Sequence, residues 1–156
     1  MHILFVCTGN TCRSPLAEGI ARRLILDRAL TNVDVSSAGT SAWPDAPASD
    51  GSLLVALEHG IDLSGHRARQ LSPELVAASD LILTMGPHHR DRAEALGGTG
   101  RSFLLTGYVH PDAPERAVSD PFGGDLAVYR TTFDELERDV ALLLDRLDTD
   151  RARPHD

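Results

Sequence analysis

An apolar segment near the start of the chain, ILFVC at residues 3–7, runs directly into a polar loop and a helix-start signal, TGNTCRSP at residues 8–15. The apolar segment is typical of a strand that is buried on both faces of a parallel sheet. Ser14 is a favourable N-cap and Pro15 a favourable first helical residue. The chain must therefore pass from a buried strand to a helix within a few residues, and this requirement constrains the rest of the fold.

The loop between Cys7 and Arg13 has the composition of an anion-binding site. Gly9 and Asn10 tolerate positive φ, so successive backbone N–H groups can point inward as a nest for an anion. The N-terminus of the following helix favours negative charge, both on a bound anion and on a Cys7 thiolate. Arg13 carries a planar guanidinium that can grip two phosphate oxygens. The spacing alone also fits a buried structural cysteine and a surface arginine, but the complete string after an apolar strand favours a phosphate site with a nucleophile.

This string resembles the signature of the low-molecular-weight protein tyrosine phosphatases, which reads Cys-x4-Cys-Arg-Ser directly after the first strand. Within that family, Thr11 is similar to the bacterial protein arginine phosphatases, whereas tyrosine-specific members usually carry a bulkier aliphatic residue there. The resemblance extends from Ile3 to about Leu147. It implies a flavodoxin-like α/β sandwich of three layers, in which a four-stranded parallel sheet of order 2-1-3-4 has helices on both faces. It also implies one phosphatase domain over residues 1–156, with a frayed tail at about residues 148–156.

The pattern of apolar residues predicts the order of elements along the chain. Strands are expected at residues 3–7, 32–36, 80–84 and 102–105, and helices at residues 15–29, 50–59, from 72, 87–96 and 125–147. Asp50 is the expected cap of the second helix, whose apolar face is expected to consist of Leu53, Leu54 and Leu57. The last helix is expected to bury a stripe of Val128, Phe133, Leu136, Val140, Leu143 and Leu147. Adjacent His88 and His89 do not share a helix face, so they are expected to face solvent rather than to chelate an ion.

The resemblance places a general acid at Asp120. Taken alone, Asp120-Pro121 is most simply an ordinary turn. The phosphatases that the chain resembles carry their general acid in an Asp-Pro-aromatic loop just before the last helix, and residues 120–122 match that loop in order and spacing. One carboxylic acid there can protonate the leaving group and then activate water. The implied catalytic residues are Cys7, Arg13 and Asp120, and the implied phosphate-binding residues are Thr8, Gly9, Asn10, Thr11, Cys12 and Arg13.

The resemblance further implies a hydrogen-bond network that supports the loop. Its members are Asn10, Ser14, Ser37 and His66. Such a network is expected to hold the strained loop open and to donate to the Cys7 thiolate.

The expected substrate pocket consists of Thr11, Trp43 and Phe122. Trp43 alone is most simply a packing anchor in a loop, but in order it matches a wall of the substrate cleft in the resembling family. The Thr11 hydroxyl can hydrogen-bond a guanidinium, and Gly123 stands where tyrosine phosphatases often carry a second aromatic residue. Both features favour phosphoarginine, although Trp43 and Phe122 can also enclose the ring of phosphotyrosine.

Composition restricts the cellular setting and the partners. The formal net charge of -8 argues against non-specific binding to nucleic acid. No apolar run approaches the roughly 20 residues that cross a bilayer, and Met1-His2 leads into the first strand without a secretory pattern. We therefore expect a cytoplasmic monomer that needs no metal or other cofactor and contacts neither nucleic acid nor membrane. Its expected partners are a phosphorylated protein or peptide and the inorganic phosphate that it releases.

The cysteine content bears on the alternatives. Cys7 and Cys12 are the only cysteines, and both lie in the same loop. An arsenate reductase of this fold would need a resolving cysteine further along the chain, and none follows Cys12. A non-catalytic phosphopeptide-binding module would need neither Cys7 nor Asp120. The resemblance implies that Cys7 and Cys12 form a reversible disulfide that protects the nucleophile.

Overall fold

Four parallel strands form the centre of the fold in the computed structural model, which describes residues 1–152, with side chains for residues 1–148. The strands are β1 (His2–Cys7), β2 (Asp34–Gly39), β3 (Leu81–Thr84) and β4 (Ser102–Leu104). They are hydrogen-bonded in the order β2-β1-β3-β4, and every pairing is parallel. The predicted sheet and its strand order are therefore confirmed.

Six α-helices within residues 1–152 connect the strands and cover the sheet. They are α1 (Arg13–Asp27), α2 (Asp50–Glu58), α3 (Pro73–Ala77), α4 (Pro87–Ala93), α5 (Leu105–Val109) and α6 (Leu126–Ala152), and a π-helical turn at Glu94–Gly98 extends α4. The short helix α5 was not predicted, because five residues are too few to show a helical period. The predicted tail from about residue 148 overlaps the end of α6, and residues 153–156 lie outside the described residues.

β1 is buried on both faces of the sheet. Ile3, Phe5 and Cys7 point into the core beneath α1, α2 and α6, whereas Leu4 and Val6 pack on the opposite side against α3 and α4. This alternation follows from the two-residue period of a strand. Burial of each large side chain contributes roughly 1.5–3 kcal/mol, so β1 holds the two layers of helices to one sheet.

The second helix buries only part of its predicted apolar face. Leu53 is partly buried against the core, but Leu54 and Leu57 are 52% and 60% exposed while Val55 and Ala56 are fully buried, so the prediction is wrong for two of its three leucines. The reason is the close approach of α6: a Cβ on Gly51 would lie 2.4 Å from the Tyr129 ring. The predicted Asp50 cap is also wrong, since the Ser49 hydroxyl caps α2 by accepting from the backbone N–H of Ser52.

The last helix buries most of the predicted stripe. Phe133, Leu136, Val140, Leu143 and Leu147 are buried, but Val128 is 41% exposed. Tyr129 takes the inward position instead and packs on α2. Within residues 1–152, none of the helices combines the length and apolar character that a membrane crossing requires.

Candidate active site

The candidate site lies at the carboxyl end of β1. The chain leaves β1 towards β2 on one side, whereas β3 lies on the other, so β1 and β3 form the point where the strand order reverses. Open α/β sheets bind ligands at such a point. A cavity of about 230 Å³ opens there, and its lining comprises Cys7, Thr8, Gly9, Thr11, Cys12, Arg13, Asp120 and Phe122.

The loop that follows Cys7 is held in a fixed, partly strained shape. Asn10 has a φ of 56°, in the left-handed region that asparagine tolerates better than most residues. β2 ends against the loop at Gly39, where a Cβ would lie 2.4 Å from the Thr8 carbonyl oxygen, so only glycine fits. Backbone N–H groups of Ser41 and Ser49 donate to Thr8 and Thr11 carbonyl oxygens, both at 2.9 Å. These bonds engage two carbonyl oxygens of the loop and attach it to the segment between β2 and α2.

The side chain of Asn10 organises the loop from within. It is completely buried, and its Nδ2 donates to the hydroxyls of Ser14 and Ser37 at 2.8 and 2.9 Å. His66 Nε2 donates to the Asn10 carbonyl oxygen at 2.7 Å. The structure thus brings together all four predicted network residues. It adds Arg69, whose backbone N–H donates to Asn10 Oδ1 at 3.0 Å.

The network ends at the sulfur of Cys7. The Ser14 oxygen accepts from Asn10 and lies 2.9 Å from Cys7 Sγ, so the Ser14 proton is available to the sulfur. A donated hydrogen bond stabilises a thiolate more than a thiol. Ser37 likewise accepts from Asn10 and donates to Glu18 Oε1 at 2.7 Å, which makes Glu18 a network member that the sequence did not indicate.

Arg13 is a buried cation with an unused donor. It is only 6% exposed, and one of its terminal nitrogens donates to the Val118 carbonyl oxygen at 3.1 Å. The other lies 3.5 Å from Asp120 Oδ2. Arg13 Nε is buried without a hydrogen-bond partner among the described residues. A buried donor without a partner is costly, which is expected of a group that awaits a ligand.

Asp120 is placed over the cavity by hydrogen bonds to its neighbours. The N–H of Val118 donates to the Met85 carbonyl oxygen at 2.9 Å. The Ser119 carbonyl oxygen accepts from the Thr132 hydroxyl at 3.4 Å, and the Ser119 backbone lies close enough to the Glu135 carboxylate to lower its pKa. The side chain of Asp120 itself is half-exposed, and its Oδ1 accepts from the Phe122 N–H.

Glu135 on α6 lies beside this loop, and its carboxylate is partly buried. Burial, followed by the nearby charge of Asp139, raises the pKa of Glu135 above its usual 4.5. Asp139 is itself buried on the same helix and accepts hydrogen bonds from Thr106 and His110 at 2.7 and 3.1 Å. Neither acidic residue was singled out by the sequence, because both belong to an ordinary-looking charged helix.

The predicted substrate-pocket residues differ in position. Thr11 is half-buried and Phe122 is 79% exposed, and both line the cavity. Trp43 is 82% exposed and is not among the lining side chains. The structure therefore joins Thr11 and Phe122 to the cavity and leaves Trp43 on the surface.

Cys12 contacts groups outside the phosphate loop. Its thiol donates to the Ser49 hydroxyl at 3.3 Å and lies 3.5 Å from the Tyr129 hydroxyl. Burial and this thiol contact raise the pKa of Tyr129 above its usual 10.0. Cys7 and Cys12 are both buried and both free.

A histidine that the sequence analysis assigned to solvent lies in the site. His89 is completely buried, and its Nε2 is 2.8 Å from the Thr8 hydroxyl oxygen, so the predicted solvent exposure is wrong. Burial, together with the neighbouring charges of His88 and Arg13, lowers the pKa of His89 to about 3. No sequence signal identified this contact, because α4 reaches Thr8 only through the pairing of β1 with β3.

Among the residues that the structure describes, no group of three or more histidine, cysteine or acidic side chains is arranged to hold a metal ion. The chemistry available at the cavity is that of a thiol, a guanidinium and a carboxylic acid, at the start of a helix.

Comparison with known proteins shows what this arrangement is similar to. The family model for the low molecular weight phosphotyrosine protein phosphatases matches residues 2–153. The chain is 38% identical to a protein-arginine-phosphatase of Bacillus subtilis, with 97% of this chain and 99% of the relative covered. It is 40% identical to the low molecular weight protein-tyrosine-phosphatase PtpB of Staphylococcus haemolyticus, with 87% and 92% covered.

Solved structures agree with this assignment. A cysteine-to-serine mutant of the YwlE arginine phosphatase with a phosphorylated active-site serine superposes with a TM-score of 0.91 at 38% identity, covering 97% of this chain and 98% of that one. The same arrangement of sheet, loop and helix is thus present in a protein whose nucleophile position carries a phosphoryl group. The chain belongs to the low molecular weight phosphotyrosine protein phosphatase family.

Proposed function

We propose that this protein, a phosphatase of the low molecular weight class, hydrolyses phosphorylated protein side chains through a phosphocysteine intermediate and favours phosphoarginine over phosphotyrosine. One observation carries the proposal. Cys7, Arg13 and Asp120 line one cavity, and the buried Arg13 Nε points to no partner among the described residues. An oxyanion that accepts from this nitrogen and from the loop N–H groups would place its phosphorus over the Cys7 sulfur.

The geometry supports a two-step displacement. The N–H groups of residues 8–13 and the Arg13 guanidinium bind the phosphoryl oxygens. Cys7 attacks in line, so an S–P bond forms as the P–N or P–O bond breaks. Asp120 protonates the leaving nitrogen or oxygen. It then takes a proton from water, which attacks phosphorus, breaks the S–P bond and releases inorganic phosphate and the Cys7 thiolate.

The support for phosphoarginine comes from the cavity wall. Thr11 and the exposed Phe122 both line the cavity. A guanidinium presents several N–H donors, and a hydroxyl can accept one, whereas an aliphatic side chain would leave it unpaired. The similarity to proteins named protein-arginine-phosphatase supports the same choice. Phosphotyrosine is the second candidate, because Phe122 can stack on a phenyl ring.

The test is to measure kcat/KM for matched phosphoarginine and phosphotyrosine peptides, with Cys7→Ser as the blank. We expect a preference for phosphoarginine of at least tenfold, which is about 1.4 kcal/mol of transition-state discrimination. Thr11→Val should remove most of this preference, and Thr11→Ser, which keeps the hydroxyl, should retain it. A preference for phosphotyrosine would overturn the substrate choice. Absence of turnover above the blank with either peptide would overturn the enzyme proposal and favour a binding module.

The proposal includes a redox control. Cys7 and Cys12 would form a disulfide under oxidation and so protect the nucleophile, and Cys12→Ser should make inactivation by hydrogen peroxide irreversible. It also assigns the protein to the cytoplasm as a monomer, where free thiols persist. Recovery of activity with a thiol reductant after peroxide treatment measures the first point.

A further inference from the structure

His89 contacts the phosphate loop from the side opposite the Asn10 network. It lies in the first turns of α4, which follows β3, and its ring reaches the Thr8 hydroxyl at 2.8 Å. The side chain is completely buried, although the mechanism assigned it no role. A buried imidazole that contacts a loop residue lining the cavity calls for an explanation.

The surroundings of the ring define which nitrogen carries the proton. His89 Nδ1 is buried without a partner among the described residues. A buried N–H without an acceptor is rarer and more costly than a lone pair without a donor. The proton therefore lies on Nε2, and His89 donates to Thr8 Oγ1. The pKa of His89, lowered to about 3, keeps the ring neutral throughout the range in which proteins are assayed.

The direction of this hydrogen bond determines where the hydrogen of the Thr8 hydroxyl can point. With the proton on Nε2, Thr8 Oγ1 is the acceptor of this 2.8 Å contact, and its own hydrogen is not engaged by the histidine. Thr8 lies next to Cys7, and both line the cavity. We propose that His89 is a positioning residue, which donates to Thr8 and thereby directs the Thr8 hydroxyl proton toward the phosphoryl oxygens as a side-chain donor in addition to the backbone nest. This inference rests on the proposed function for its effect on turnover, but not for its effect on phosphate binding.

The donor would act on an anion. A hydroxyl that donates to a phosphoryl oxygen makes a charge-assisted hydrogen bond, which is stronger than a neutral one. Thr8→Val keeps the shape of the side chain and removes only the hydroxyl. We expect it to lower kcat/KM about tenfold, equivalent to about 1.4 kcal/mol, and to weaken the affinity for inorganic phosphate by a similar factor. Thr8→Ser should preserve both.

His89 is tested through the same two measurements. His89→Phe removes the donor and should reproduce the effect of Thr8→Val, while His89→Gln offers an amide N–H near the position of Nε2 and should restore part of the loss. The double variant Thr8→Val with His89→Phe should be no more than about threefold worse than either single variant, because both act through one hydroxyl. Arg92→Gln, at an exposed position on the same helix, is the matched control and should leave both measurements unchanged.

A structural role alone would give a different pattern. If His89 only fills space, His89→Gln would not recover activity, and the two single losses would multiply to about a hundredfold in the double variant. Melting temperatures identify any variant that fails to fold. If a His89 variant fails in this way, Thr8→Val and Thr8→Ser still test whether the Thr8 hydroxyl acts as a donor to the phosphoryl oxygens.

The nitrogen shifts of His89 in an NMR spectrum of the ¹⁵N-labelled protein provide a readout that does not depend on turnover. A neutral ring with the proton on Nε2 is the expected result, and a proton on Nδ1 would overturn the inference. If wild-type protein binds inorganic phosphate but turns over no phosphorylated peptide, the proposed function fails alone. If turnover is present and Thr8→Val changes neither kcat/KM nor phosphate affinity, only the inference about His89 fails.

Discussion

The floor and the rim of the site are built in opposite ways. The floor, residues Cys7 to Ser14, is packed beneath the sheet ends and is held by a hydrogen bond from Asn10 to Ser37 and by hydrogen bonds from His66 and Arg69 to Asn10. The rim, represented by Phe122, is about four-fifths exposed, and a phenyl ring forms no hydrogen bond that could hold it in place. The half-exposed Asp120 lies between them.

The floor and the rim therefore differ in how well they tolerate substitution. Because the hydrogen bonds of the floor share partners, a substitution there would disrupt the loop itself. The floor therefore suits the phosphoryl chemistry that all substrates require. A rim of exposed side chains can change at small cost in stability. We therefore expect substitutions in the floor to change activity much more than substitutions in the rim.

The largest effect is expected at Arg13. Arg13→Lys keeps the charge but loses the planar fork and the unpartnered Nε, so kcat/KM should fall on the order of a thousandfold. Steady-state kinetics with a generic aryl phosphate measures this loss, and the melting temperature shows whether the fold is kept. A fall of less than tenfold would contradict the assignment of Arg13 as the clamp.

Substitutions of Asn10 distinguish the contribution of backbone strain from that of hydrogen bonding within the floor. Asn10→Ala should lower the free energy of unfolding by about 3 kcal/mol, since buried serine hydroxyls lose their donor and alanine disfavours positive φ. Asn10→Gly should recover about 1 kcal/mol of this, because glycine adopts the same φ without strain. Activity should fall equally in both, at least tenfold, because neither variant restores the bonds to Ser14 and Ser37. Chemical denaturation and kinetics provide the two measurements, and a Gly variant with normal kcat/KM would show that the network serves stability alone.

The rim should give smaller and substrate-dependent effects. Phe122→Ala should lower kcat/KM for a phosphorylated peptide by roughly twofold to tenfold, the range expected for one aromatic contact. It should change turnover of a small aryl phosphate by less, and Trp43→Ala, whose side chain lies outside the cavity lining, should have a smaller effect than Phe122→Ala. Leu26→Ala, which removes an equally exposed apolar side chain far from the cavity, is the matched control. Equal losses of kcat/KM on the peptide and on the small aryl phosphate would contradict the distinction between floor and rim.

The smallest effect is expected at Glu135, which supports the loop of Asp120 from α6. Its folded-state pKa is raised above 4.5, so the folded protein binds more protons than the unfolded chain between 4.5 and the raised value. Stability therefore falls as pH rises through that window, and the penalty is fully present at neutral pH.

Glu135→Gln removes this penalty and keeps an acceptor for Ser119. After allowance for solvent screening of a part-buried group, we expect a gain of about 0.5 kcal/mol at pH 7 and none at pH 4. Denaturation curves at the two pH values measure it, with the exposed Glu137→Gln as control. A loss of stability at pH 7 would show that the Ser119 bond needs a charged acceptor.

Local signals were sufficient to predict the sheet and the floor of the site. The apolar run of β1, the Gly-Asn turn and the Ser14-Pro15 start all lie within residues 3–15, where one turn decides the geometry. Strand order followed from the family resemblance, and the sheet confirms it.

Contacts between distant elements were harder to predict. The buried face of α2 depends on the ring of Tyr129, 78 residues beyond Gly51, and periodicity within α2 carries no information about it. His89 was assigned to solvent on the argument that adjacent histidines cannot chelate together. That argument holds for chelation but does not bear on burial, which depends on the loop that β1 places beside α4.

The pair formed by Arg13 and Asp120 has a thermodynamic consequence. The carboxylate of Asp120 lies 3.5 Å from the guanidinium, so an arriving phosphate replaces one anion beside Arg13 with another. The attraction that the phosphate gains is therefore partly offset by the attraction that Asp120 loses. The same exchange favours departure of the phosphate, because the carboxylate then regains its partner.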